Sequence, residues 1–507
     1  MSKRKPLTER VLIKKDTEIL EERGKNFFQI DFLKTVMIFL VIFDHIVAWG
    51  IKSQIGVALW ERISIPVFLI IMGFNMGISF QRKGFTKLKE LYSWSYFKSK
   101  ILRYIIPFLV LYGFSTLIGL IFYQFNITVM YYGQYYPDHG VIQLFTGILP
   151  FWGPGNWFIP VIFGSILLFP LVYWAFTRKQ VLTLIVCYAV EIVFQLFVFF
   201  FIGNLYDEFF NINLVKYHNL SIIMSSFPFY LSAIGLGLWF SFNPKPFSKR
   251  NLFIWILFPI SLTYIILYQF FGFRLAINDI PIDIPLIRGD YHFLVFPYSA
   301  VLFLLVMIIL PQYSENRFSR MISLIGKSTY HILLTQIFGY GIIFAWRGTH
   351  YLINAGFTFF DALLLIYAWI IFIPFGVLWY KFDQEKTMIR RLLYYVNYFL
   401  IFSVIVYTMY VWLTPPLIER VPIPLIIILI YAAMGLIISI MLKNPVKTTT
   451  LALWTSFLVY LFILTILYFE ILPPNEYLIQ NVSICSFFIL VIVGTVLDYT
   501  IYHIRTK

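Results

Sequence analysis

The stretch from Asp31 to Trp49 reads DFLKTVMIFLVIFDHIVAW, an apolar run interrupted by Asp31, Lys34, Asp44 and His45. Helical residues advance by about 100° each, so the eleven positions from Lys34 to His45 make three turns plus roughly 20°. The two side chains therefore share one helix face, about 16 Å apart along the axis at about 1.5 Å per residue. Asp31 lies about 60° round from Lys34 and joins that face one turn nearer the start. Ionisable groups inside hydrocarbon are costly and are usually retained for function. A stripe of carboxylate, ammonium and imidazole on an otherwise lipid-soluble helix thus indicates both a membrane fold and the place to look for chemistry.

The rest of the 507-residue chain is equally apolar, with 60% hydrophobic and 12% charged residues and a mean hydropathy of +0.82. A soluble domain carries roughly 25% charged residues. The formal net charge of +15 then belongs to membrane topology, and no nucleic-acid partner is expected. The 21% aromatic share fits lipid-facing segments and interfacial belts. Cys187 and Cys485 both lie inside apolar runs, so neither a disulfide framework nor a metal site is expected. The first ~25 residues are charged of both signs and lack the apolar core of a cleaved signal. The segment holding Lys34 reads instead as an uncleaved insertion signal.

Apolar runs of about 20 residues, enough to span a bilayer, begin near Phe32, Val57, Tyr104, Trp157, Val181, Ser221, Leu252, His292, Thr329, Thr358, Tyr394, Val421, Thr448 and Leu478. They predict an all-α polytopic membrane protein with about fourteen transmembrane helices. With the N-terminus in the cytoplasm, thirty-one of the 39 lysine and arginine residues fall on that side, seven fall opposite, and Lys34 is within the membrane. The positive-inside rule demands this asymmetry, so both termini are expected to face the cytoplasm from a cell membrane. Polar residues within the spans (Lys34, Asp44, His45, Asn75, Glu191, Gln195 and Gln336) fall in the first ten helices. Three parts are expected: a charged tail at 1–25, a ten-helix core at 26–385 that carries the chemistry, and a four-helix extension at 386–507.

Two loops stand out. The outer stretch Phe125–Asn156 has no lysine or arginine and many Tyr, Trp and Gly residues; it is either a carbohydrate platform or an interfacial belt. The inner stretch Arg82–Arg103 is strongly basic, from positive-inside bias with anionic-lipid contact or for an anionic ligand. His45 exchanges a proton near neutral pH and is the candidate general base. Asp44 is about 100° away and orients that ring only through local geometry or a neighbouring helix. Arg62 and Glu61 read as a local ion pair.

These residues resemble membrane acyltransferase family 3, the polysaccharide O-acyltransferases. Lys34 and His45 match its Arg/Lys-x10-His motif. Ile65–Phe80 resembles its second helix, with Met72 at the usual Ser. Lys100-Ile-Leu-Arg103 before Ile106-Pro107 is similar to its Arg-x-x-Arg motif, Asn156–Trp174 to its Leu-Trp-Phe-Leu segment, and Gly326–Gln336 to its Gly-Lys-x-Ser-Tyr-x-x-Tyr-Leu-x-His segment, with Gln336 in place of the late His. Lysine at Lys34 and Lys100 keeps the charge of arginine without its bidentate fork.

The resemblance covers about residues 26–380 and implies a ten-helix acyltransferase core. It implies acetyl-coenzyme A, or another acyl-CoA, as co-substrate and a cell-surface or lipid-linked glycan as acceptor. His45, Lys34 and Asp44 are then the catalytic candidates, and Lys100, Arg103 and Arg82 candidates for the coenzyme A phosphates. Asn156, Trp157, Glu191 and Gln336 are candidates for the acceptor path. Glu191 with Gln195 also fits an interhelical hydrogen bond, and Trp157 a belt residue. The rival class is a transporter or flippase for lipid-linked glycans. A transporter shows paired, Gly/Pro-broken helices in related halves; none is visible here, and the polar residues are skewed to the front of the chain.

Overall fold

Ten helices of twelve residues or more order the described part of the chain: α1 Phe28–Ile46, α2 Ser64–Lys83, α3 Ile106–Phe122, α4 Phe158–Arg178, α5 Gln180–Phe197, α6 Leu231–Phe242, α7 Leu252–Phe271, α8 Phe296–Ile309, α9 Arg317–Arg347 and α10 Phe359–Asp383. The computed structural model describes residues 27–122, 155–197, 227–271, 293–314, 316–347 and 359–384, with isolated positions at 276–277, 280–281, 353 and between 388 and 402. The one strand pairing among them is the short antiparallel Ala276–Ile277 with Ile280–Pro281. Contacts divide the chain into two units, Met1–Val377 and Leu378–Lys507. Within the second, Trp379 meets the Phe399 ring edge-on at 5.1 Å.

Local chemistry sets several helix ends. Pro66 and Pro297 sit in the first turns of α2 and α8, where a missing N–H costs no helical hydrogen bond. Helix α2 stops at Gly84, which adopts φ +67° and donates its N–H to Gln81, the usual left-handed C-terminal cap.

Helix α1 packs against α2 and α9, and α2 packs against α6 and α8. The α2–α6 crossing is very close. Gly73 and Gly77, one turn apart, face Gly237 and Ser241, and a Cβ on Gly73 or Gly237 would stand 2.1 Å from the Ile234 carbonyl oxygen or 1.9 Å from that of Ile70. Small residues let helices approach this closely where lipid supplies no hydrophobic drive to association. The α1–α9 contact is similar, since a Cβ on Gly326 would lie 2.4 Å from the Asp31 carbonyl oxygen. Thr35 Oγ1 lies 3.0 Å from the Ile322 carbonyl across the same contact. These contacts fix the axial position of α1, and with it the charged stripe.

Burial separates centre from periphery. The apolar window of Val57–Lys83 is 72% buried, whereas those of Gln180–Phe197 and Lys249–Phe271 are 28% buried. The outer faces of α5 and α7 carry exposed Val181, Ile185, Val193, Ile256, Ile260 and Phe271, an apolar surface that hydrocarbon accepts and water does not. The chain is a membrane protein. Four described helices are long and apolar enough to cross a bilayer: Val57–Lys83, Phe158–Arg178, Gln180–Phe197 and Lys249–Phe271. Helix α1 carries three charged residues, and α8 has only fourteen residues. The expected tail at 1–25, most of the loop Phe125–Asn156, and the expected segments beginning at Val421, Thr448 and Leu478 lie outside the described residues.

Candidate active site

Helix α1 places Asp31 and Lys34 near one end and Asp44 and His45 at the other. Lys34 Nζ lies 3.4 Å from Asp31 Oδ1. Arg103 and Tyr104 are within electrostatic reach of Lys34, and Arg103 and Lys83 within that of Lys100. Lys34, Lys100 and Arg103 therefore gather at one end of the helix bundle. Arg82 does not join them. It stands at the end of α2 within electrostatic reach of Tyr313, and its neighbour Lys83, about 100° round the helix, is within that of Lys100.

Backbone geometry helps to gather this cluster. The short helix Trp94–Lys100 runs through a π-helical turn, Ile101–Ile105, into α3. Such turns widen the hydrogen-bond ladder and concentrate at functional sites. Here the Tyr330 hydroxyl of α9 donates to the Tyr104 carbonyl at 2.8 Å. Lys100 lies 5.6 Å from the Tyr96 ring centre and 5.7 Å from that of Tyr104, and the Arg103 guanidinium lies 5.3 Å from the latter. Burial, then Arg103 and Lys83, holds the Lys100 ammonium below the ordinary lysine range, against an opposing pull from Tyr104.

At the other end, His45 borders a cavity of about 60 Å³ shared with Asp44, Glu61, Arg62, Gly155 and Trp157. Its ring meets Tyr340 of α9 edge-on at 5.7 Å, and the Tyr340 hydroxyl donates to the Ile42 carbonyl at 3.1 Å. Asp44 Oδ2 is 3.8 Å from His45 Nε2, too long for a hydrogen bond. The other Asp44 oxygen pairs with Lys52 and lies 3.5 Å from Arg62 Nη2. Arg62 Nε is in turn 3.5 Å from Glu61 Oε2. The expected Glu61–Arg62 pair is thus part of a larger network that reaches Asp44, and the carboxylate expected to orient His45 is itself held by two cations.

Sequence reasoning missed two members of this site. Lys52 is 1% exposed because the chain after α1 folds back over Asp44. The only sequence signal for it was an eight-residue spacing from that aspartate. Gly155 adopts φ +90°, and a Cβ there would lie 2.9 Å from His45 Cε1. Its signal was the Gly-Pro-Gly run at 153–155. Trp157 lines the cavity, its ring 5.6 Å from that of Tyr230, and half-buried Asn156 lies between it and Gly155.

Glu191 belongs elsewhere. It does not line the His45 cavity, and its Oε2 accepts the Ser232 N–H at 2.8 Å and the Ser232 hydroxyl at 2.5 Å. Gln195 Nε2 lies 3.2 Å from the second Glu191 oxygen. The pair makes the interhelical hydrogen bond, with a carboxylate at the start of α6 where unsatisfied N–H groups favour it. A larger cavity of about 700 Å³ lies at the α4–α5 turn by Arg178, Lys179 and Arg250. It shares no lining residue with the His45 cavity.

Residues 27–380 match the sequence model of the acyltransferase domain. The chain belongs to membrane acyltransferase family 3. No curated protein and no solved structure matches it. In this acyltransferase both ends of α1, the π-helical turn, Gly155 and Gln336 fall inside the matched domain, which ends within α10.

Proposed function

We propose that the protein is a multi-pass membrane O-acyltransferase that moves an acyl group, acetyl, from cytoplasmic acyl-coenzyme A to a cell-surface or lipid-linked glycan. The observation that carries this is the division of one helix: Lys34 lies with Lys100 and Arg103 at one end, and His45 borders a cavity at the other. Such a helix suits a donor and an acceptor that arrive from opposite sides. In this reading the Lys100 end faces the cytoplasm, as do both termini, in keeping with the excess of positive charge that the positive-inside rule expects there. Coenzyme A is polyanionic and stays on that side, where Lys100 and Arg103 bind its phosphates as charge-assisted hydrogen-bond donors. The pantetheine arm extends along α1 past Lys34 and brings the thioester to His45.

His45 then removes the proton from the acceptor hydroxyl as its oxygen attacks the thioester carbonyl, and returns a proton to the departing coenzyme A thiolate. Asp44 stabilises the transient imidazolium. Trp157 offers an aromatic face to the apolar side of a sugar ring, beside Asn156. The test is transfer of labelled acetyl from acetyl-coenzyme A in membranes holding the wild type or His45→Ala. Loss of a general base is expected to lower transfer 10²–10⁴-fold with coenzyme A binding retained. Undiminished transfer by the variant would remove His45 from the chemistry, and absence of coenzyme A binding to the wild type would remove the donor.

A further inference from the structure

A buried amide beside His45 is not used by the fold. Gln336 is fully buried, yet neither its Oε1 nor its Nε2 has a hydrogen-bond partner among the described residues. Buried side-chain amides are nearly always paired, and an exception calls for a reason such as a catalytic role. Gln336 does not itself line the His45 cavity, but it sits on the α9 stripe that borders it. Three residues before it, Leu333 lines the His45 cavity, and four residues after it, Tyr340 meets the His45 ring; positions three and four apart share a helix face.

Gly155 keeps the space between these groups clear. The point where a Cβ would stand on Gly155 lies 3.7 Å from His45 Nε2 and 3.7 Å from Gln336 Nε2. Both nitrogens thus lie within 3.7 Å of one point, a proton acceptor and an uncommitted N–H donor at the same glycine. An acyl carbonyl polarised between them would meet both a proton acceptor and a donor for its oxygen.

We infer that the Gln336 side-chain amide is the oxyanion donor of the transfer reaction, which rests on the acyl-transfer function proposed above. When the acceptor oxygen forms its bond to the thioester carbon, its proton passes to His45 and the carbonyl π pair moves onto the carbonyl oxygen. Gln336 Nε2–H donates to that oxygen. On collapse the pair re-forms the carbonyl, the carbon–sulfur bond breaks, and the thiolate leaves with the proton from His45. A donor aimed at charge that exists only in the transition state raises kcat and leaves ground-state binding nearly unchanged.

The experiment compares wild type, Gln336→Met and Gln336→Glu in detergent or proteoliposomes with labelled acetyl-coenzyme A. Methionine keeps the length of the side chain and removes both polar atoms. It is expected to lower kcat about 10²–10³-fold, with KM for acetyl-coenzyme A almost unchanged and thermal stability equal or higher, because a buried unpaired amide is relieved. Gln336→Glu opposes the developing charge and is expected to lose at least as much. A methionine variant that retains kcat overturns the inference. So does one that loses stability and raises KM, the behaviour of a packing residue. Wild type without transfer overturns the acyl-transfer function as well, whereas wild type active and His45→Ala inactive beside an unaffected Gln336→Met overturns the oxyanion role alone.

Discussion

Lys52 donates to Asp44 twice, to its carboxylate and, at 2.8 Å, to its backbone carbonyl. The second bond falls at the last turn of α1, where carbonyls lack helical partners and a cation is favourable. Lys52 therefore closes the helix and neutralises the carboxylate beside His45 in one contact. Removing one partner of a buried pair strands the other charge, at a cost of about 3–5 kcal/mol when fully buried. Arg62 remains near Asp44, so Lys52→Met is expected to cost about 2–3 kcal/mol. Asp44→Asn in the same chain should recover part of that loss. Thermal unfolding of the two single variants and the double variant gives the coupling energy, and a value near zero would show that the pair contributes nothing.

The lowered proton affinity of Lys100 gives the donor site a pH dependence. Its folded value lies below that of an ordinary lysine, so as pH rises the ammonium is lost earlier than usual. Phosphate attraction is present below that point and fades above it. KM for acetyl-coenzyme A is expected to climb on the alkaline side, ahead of ordinary lysine titration, with kcat less affected. Lys100→Arg is expected to flatten the climb, since guanidinium keeps its charge throughout. Initial-rate kinetics from neutral to alkaline pH check this, and an equal climb in Lys100→Arg would assign the titration to another group.

The shared face of Lys34 and His45 was legible in the sequence because helical periodicity and the cost of buried charge act within a single segment. The ten helices of the described part are likewise written in the apolar runs. Partners brought by tertiary packing were not legible. Lys52 and Arg62 converge on Asp44 only after the chain turns back, and Lys83 comes within electrostatic reach of Lys100 only through packing. Glu191 looked like a functional carboxylate because α5 offers it no cation, just the Gln195 amide one turn on. Its partner, Ser232, comes from a helix 41 positions later.

Gly155 is the tightest constraint on the cavity. Its φ of +90° is a conformation that side-chain-bearing residues rarely adopt, and a Cβ would stand 2.9 Å from His45 Cε1. Backbone strain alone is worth about 1–3 kcal/mol, and the added methyl group must also displace the imidazole. Gly155→Ala is expected to lose most transfer activity, since misplacement by about 1 Å can cost 10²-fold. Activity assays with coenzyme A binding as the control test this. A fully active alanine variant would mean that the His45 ring is free to move aside.

Glu191 offers a control in which stability and activity separate. Its carboxylate holds both the N–H and the hydroxyl of Ser232 at the start of α6, and α6 in turn carries the glycine contact with α2. Glu191→Leu leaves those donors buried without an acceptor, at a cost of about 1–3 kcal/mol. The residue does not border the His45 cavity, so KM for the acceptor and kcat are expected to stay within about two-fold in protein that remains folded, a difference of under about 0.5 kcal/mol. Thermal unfolding and acceptor kinetics on one preparation separate the two effects. A rise in acceptor KM without loss of stability would move Glu191 from the structural frame to the acceptor path.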